Sequence, residues 1–155
     1  MKTLKKLILA CSLIATIGLF TGCVQLLDAY TLSQNSWYSD QSMPGIEGYT
    51  KLDFNYDDLT FTVVVYKEGS DAPYAATRGK WIVERDTETG KSILSMTTTD
   101  ARKGGLGDVE VDASDDSQWL PSNEITAKYN FEVTSSSLIL KAVGSNSSDT
   151  WSKYR

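Results

Sequence analysis

From Asn35 to the C-terminus the chain is built of short runs with a period of two, broken roughly every 8–12 residues by turn-forming residues. This alternation restricts the fold to the all-β class. Ile125, Ala127, Tyr129, Phe131 and Val133 share one face of a strand, with Thr126, Lys128, Asn130, Glu132 and Thr134 opposite. Leu59, Phe61, Val63 and Val65 do the same within the β-branched run 59–67, and residues 107–112 form a shorter copy with Val109 and Val111 inward. Turn residues sit at 55–58, 86–90, 103–107, 135–137 and 144–148, with Gly90 suited to the positive φ of a bulged hairpin. The pattern predicts eight to nine strands, and no apolar helical stripe exceeds two turns. Consecutive hairpins make an antiparallel meander, and closing it into a barrel removes its exposed edges. A two-sheet sandwich is the second arrangement, but it needs longer crossovers than most of these connections.

The N-terminus follows a different rule. Lys2, Lys5 and Lys6 precede a run of 14 almost entirely apolar residues, 7–20. That is short of the roughly 20 helical residues needed to span a hydrocarbon core. Charge followed by a short apolar run is the pattern of a signal peptide, residues 1–22. Its end, Phe20-Thr21-Gly22-Cys23, resembles the lipobox of bacterial lipoproteins. The resemblance implies cleavage before Cys23, a diacylglyceryl group on the Cys23 thiol, and a further acyl chain, of palmitate type, on its amine. Ordinary secretion with a coincidental cysteine is the plainer alternative. Residues 23–34 then read as the lipidated N-terminus and a tether, in which 24–34 either take a helical turn or extend to at most about 40 Å, and 35–155 as one barrel domain.

Cleavage removes three lysines and no acids, taking the formal charge from −5 to −8. An acidic chain is not expected to bind nucleic acid or adsorb electrostatically to anionic lipid, so attachment falls to the acyl chains. Cys11 leaves with the signal peptide and Cys23 carries lipid, so no intrachain disulfide is expected. The chain has no histidine. Without imidazole or free thiol, Ser/His/Asp and Cys/His catalysis and histidine or thiolate zinc sites cannot be built; no enzyme and no cofactor is expected. The acids Asp108, Glu110, Asp112, Asp115 and Asp116 invite a calcium reading but lack the order of an EF-hand loop, so a solvated edge without metal is the expectation. Gly104, Gly105 and Gly107 neither follow a parallel strand nor open a helix, and read as a turn rather than a phosphate loop.

The spacing of certain residues resembles the lipocalin-like domain of small bacterial lipoproteins. Asn35-Ser36-Trp37 stands where that family carries Gly-x-Trp, and Arg78-Gly79-Lys80-Trp81 is similar to its mid-chain repeat. The segment from Phe54 to Phe61 is similar to its second hairpin, with Asp58 in place of the turn glycine. Tyr129-Asn130-Phe131, Leu138 to Lys141 and Trp151 to Arg155 are similar to its last three strands. The stretch 100–124 is longer than the matching connection.

The resemblance implies a lipocalin-like barrel whose inward aromatics, Trp37, Phe54, Phe61, Trp81, Tyr129 and Phe131, line a cavity for a small hydrophobic ligand. The competing reading has the same rings filling the barrel as core. Trp119 and Pro121 fall in the long connection, where they would serve as a lid, a partner contact or plain packing. The expected role is a lipid-anchored protein of the cell envelope that binds such a ligand. The alternatives are an interaction or structural module for an envelope or host protein, or an inhibitor of an extracellular hydrolase. Val24 stands where an Asp would resemble an inner-membrane retention signal, which favours the outer membrane of a Gram-negative cell.

Overall fold

A computed structural model describes residues 26–40 and 46–153. Eight strands follow in order: β1 (Trp37–Ser39), β2 (Gly48–Asn55), β3 (Thr60–Lys67), β4 (Pro73–Arg85), β5 (Ser92–Arg102), β6 (Trp119–Val133), β7 (Ser137–Ala142) and β8 (Asp149–Lys153). Each pairs antiparallel with the next, and β8 returns to β1 through Trp37↔Lys153 and Tyr38↔Ser152. The meander is therefore a closed barrel and not a sandwich. Cys23 and residues 1–22 lie outside the described residues.

The period of two sets the register. Phe54 faces Phe61, Trp81 faces Met96, Leu94 faces Tyr129 and Phe131 faces Leu140 across neighbouring strands. In this register one face of every strand turns to the axis. At Gly79 the β4 and β5 backbones come so close that a Cβ would stand 2.0 Å from the Thr97 carbonyl oxygen. Only glycine fits there, next to bulges at Arg78/Gly79 and Thr98/Asp100 that bend the two strands. Gly90 takes φ 69° in the β4–β5 turn and donates its N–H to the Asp86 carbonyl at 2.8 Å.

Two segments depart from the sequence expectation. Residues 26–33, expected within a tether, are helical (α1). This helix lies under the end of the barrel formed by the turns at 56–59, 86–91 and 134–136, called the lower end below. Ala29 and Leu32, three apart, turn inward to the core, and Ser92 Oγ donates to Asp28. Residues 107–112, expected as a strand, are instead part of a long β5–β6 connection, and Val109 is exposed. Arg102 takes the carbonyls of Gly107 and Val109 as hydrogen-bond acceptors, so this backbone is satisfied without a strand partner.

The lower half of the interior is close-packed. Trp37, Trp81, Leu32, Leu52, Leu94 and Leu138 are fully buried. Trp37 Nε1 donates to the Leu32 carbonyl at 2.9 Å, which ties α1 to β1 and satisfies one of the helix's terminal carbonyls. Trp81 Nε1 donates to the Asn55 carbonyl, and its ring meets Phe54 edge-on at 5.1 Å. Truncating Trp37 to alanine should lower the unfolding free energy by about 3–5 kcal/mol. Urea denaturation checks this, with the exposed Thr126→Ala as a control that stays within about 0.5 kcal/mol of the parent.

Candidate ligand cup

All six aromatics expected at the cavity converge on one interior cluster. Trp37, Phe54, Phe61 and Trp81 are buried in it, and Tyr129 and Phe131 are half-buried against it. They occupy the lower half, where they meet Leu94, Leu138 and Leu140. Toward the upper end the inward positions change character. Thr50, Thr77, Thr98, Ala101 and Ala127 hold the same inward phase, but their side chains are short. The rings thus form a floor, and in the wall above it these short side chains alternate with Val63, Val65 and Met96, their inward partners on neighbouring strands.

The wall is uneven. β6 pairs with β5 along most of its length, but with β7 only from Tyr129 to Val133. Above Tyr129 its other edge has no strand neighbour among the described residues, only the Val143 N–H bonded to the Lys128 carbonyl, so the wall is lower on the side of the short β7 and β8. Ile125 shows the consequence: it pairs with inward Thr98 yet is 65% exposed. The free edge is interrupted by Pro121 and by the irregularity opposite Thr98/Asp100, features that discourage pairing with another chain.

Two inward polar groups on β8 have no partner among the described residues, Asp149 and, one step lower against the floor cluster, Trp151. Asp149 stands opposite Leu140, a core residue, and so shares its inward face; among the described residues its carboxylate meets no donor. Burial raises the Tyr129 phenol above its ordinary value, and the charge of Asp149 raises it further. Trp151, two residues along the same face, has a buried Nε1 with no acceptor. Sequence reading passed over both residues. The alternation of β8 carries the signal, since placing Trp151 inward places Asp149 inward as well.

The outer face carries a second polar constellation. Arg78 Nε donates to Asp100 at 3.2 Å, Nη2 to Asp116 at 2.6 Å, and Nη1 to the Ala113 carbonyl at 2.6 Å. Its guanidinium lies 5.0 Å from the Trp119 ring centre. Burial opposes the charge on Arg78, but the hydrogen bonds to Asp116 and Asp100 prevail and raise its pKa. Trp119, expected in the connection, opens β6 and is buried on the outer surface against Val64 and Ala76, with Val111 beside it. The connection 103–118 is thereby held flat on β3 and β4 and does not cover the mouth. Its acids serve as turn caps: Asp112 accepts from Ser114 and Asp115 from Ser117, which lowers both pKa values.

Three surface depressions flank these features, of about 200, 500 and 790 Å3, and none is lined by Trp37, Phe61, Trp81 or Tyr129. No family model, curated protein or solved structure matches the chain.

Replacing Arg78 by alanine removes three charge-assisted bonds from a largely buried site and should make opening of segment 103–118 easier by about 2 kcal/mol. Limited proteolysis checks this: cleavage within 103–118 accelerates while the barrel's urea midpoint moves far less.

Proposed function

We propose that the chain is a lipid-anchored envelope lipoprotein whose lipocalin-like barrel holds a small, mainly apolar ligand above its aromatic floor. The observation that carries the reading is the change in side-chain size along the barrel axis. Below, rings and leucines fill the interior; above, threonine and alanine interspersed with valine and Met96 lead to the side where inward Ile125 reaches solvent. Such a site is concave, largely apolar and supplied with a few polar groups. An apolar body would rest on the Trp37–Trp81 floor and cover Ile125. A polar end would meet the Asp149 carboxylate, which has no donor among the described residues.

The protein acts in this reading by binding, without catalysis. Acyl chains on Cys23 hold it at the membrane, since two or three chains anchor firmly where one is marginal. Val24 after the cysteine favours the outer membrane if the cell is Gram-negative. A second reading, an interaction module for another envelope or host protein, draws on Leu120 and Val143, which are 51% and 53% exposed near the same opening. The inhibitor reading draws less support, because the long connection lies flat on the barrel and offers no protruding loop.

The neutral dye N-phenyl-1-naphthylamine tests the ligand cup in the full chain, read by energy transfer from the tryptophans. Saturation at one dye per chain is expected, and its loss in Ala127→Phe, which puts a ring into the upper interior. Signal that fails to saturate, or that is identical in Ala127→Phe, would contradict the cup.

A further inference from the structure

The lower end of the barrel carries an apolar surface that the ligand cup does not use. On α1, Ala29 and Leu32 face the core, while Leu26, Leu27 and Tyr30 turn outward and are 59%, 64% and 52% exposed. Three- and four-residue spacing places these three on one helical face. Tyr30 meets Tyr56 of the β2–β3 turn edge-on at 6.3 Å, and Leu59 in the same turn is 44% exposed. Scattered exposed apolar residues need no explanation, but a connected group at one end of a small domain does.

The position of this group in the chain identifies its occupant. Only Val24 and Gln25 separate Leu26 from Cys23. At no more than about 3.6 Å per residue, Leu26 lies within roughly 11 Å of the cysteine. A lipid on Cys23 therefore holds this face at the bilayer surface whether or not it inserts. Leucine in the acyl boundary and tyrosine at the headgroup level are the placements these side chains favour. Asp57 and Asp58, in the same turn as Tyr56 and Leu59, limit the depth, because carboxylates remain in water.

We infer that Leu26, Leu27, Tyr30 and Tyr56 lie in the interfacial layer of the membrane that carries the chain. The barrel then stands on its closed end, with the cup opening away from the bilayer. Contact is driven by apolar burial and not by charge, since the mature chain is acidic, so it is insensitive to salt. The inference rests on the lipid-anchor reading of Cys23.

Spin labelling of the full chain in phosphatidylcholine vesicles tests it. With Cys11 removed and Cys23 acylated, Leu27→Cys supplies a single reactive thiol, and Asn146→Cys in the β7–β8 turn supplies a control at the opposite end. The inference expects the label at 27 to collide readily with oxygen and poorly with a water-borne nickel chelate. Its oxygen-to-nickel ratio should exceed that at 146 several-fold, at low and high salt alike. High nickel access at 27 in a chain whose mass shows acylated Cys23 would overturn this inference and leave the anchor standing. Low access to both reagents would overturn it in favour of a protein contact. A mass without acyl chains would overturn the anchor reading and this inference together.

Discussion

The Trp37 indole is the point on which the two ends of the fold depend. It is fully buried, its N–H goes to the last turn of α1, and its ring lies in the cluster with Phe54, Phe61 and Trp81. One side chain therefore fastens the helix under the barrel, begins the first strand, and supplies much of the floor. β1 is only three residues long, so its ladder bonds alone would hold it weakly. Burial of the tryptophan compensates, and closure of the sheet through β1 and β8 follows from it. With the lower half filled, any free volume for a guest lies above, where side chains are short.

The sequence made the barrel legible because its period of two survives in nearly every strand. Ile125 through Val133 gives the correct face of β6, and Gly79 next to Trp81 marks the close approach of β4 and β5. Height along the axis was harder to read. Alternation says which residues point inward, but tilt in a closed barrel decides which of them share a level. The six aromatics were thus placed inside the barrel by their phase, while their gathering at one end depends on the tilt. Residues 26–33 read as a tether with room for a helical turn, and the full two-turn helix is not legible because only Ala29 and Leu32 face the core, too few for a periodic signal. Residues 107–112 alternate like a strand, yet Arg102 and the Arg78–Asp116 pair hold the segment as a loop. Nothing local announces a partnership across 38 positions.

The two arginine contacts also explain why the longest connection leaves the mouth uncovered. Arg78 is screened by Trp119 and ringed by acceptors, so the connection is drawn onto the outer wall. Of the acids that invite a metal reading, Asp116 goes to Arg78, and Asp112 and Asp115 cap serine turns. The proposed cup, the filled floor and the apolar underside lie in order along the barrel axis. That order agrees with a protein attached to a membrane at one end and receiving its ligand at the other.

The central claim is that Trp37 and Trp81 lie in a closed floor that a guest does not enter, while Trp151, only partly buried at the edge of that floor and two residues from Asp149 on the same face, is the tryptophan that a guest above the floor approaches. Fluorine NMR of the full chain labelled with 5-fluorotryptophan reads all four tryptophans separately. The account predicts that Trp37 and Trp81 show no solvent-isotope shift and keep their frequencies when the cup is saturated with dye, while the Trp151 signal moves. Solvent shifts at Trp37 or Trp81, or a dye response there as large as at Trp151, would contradict it.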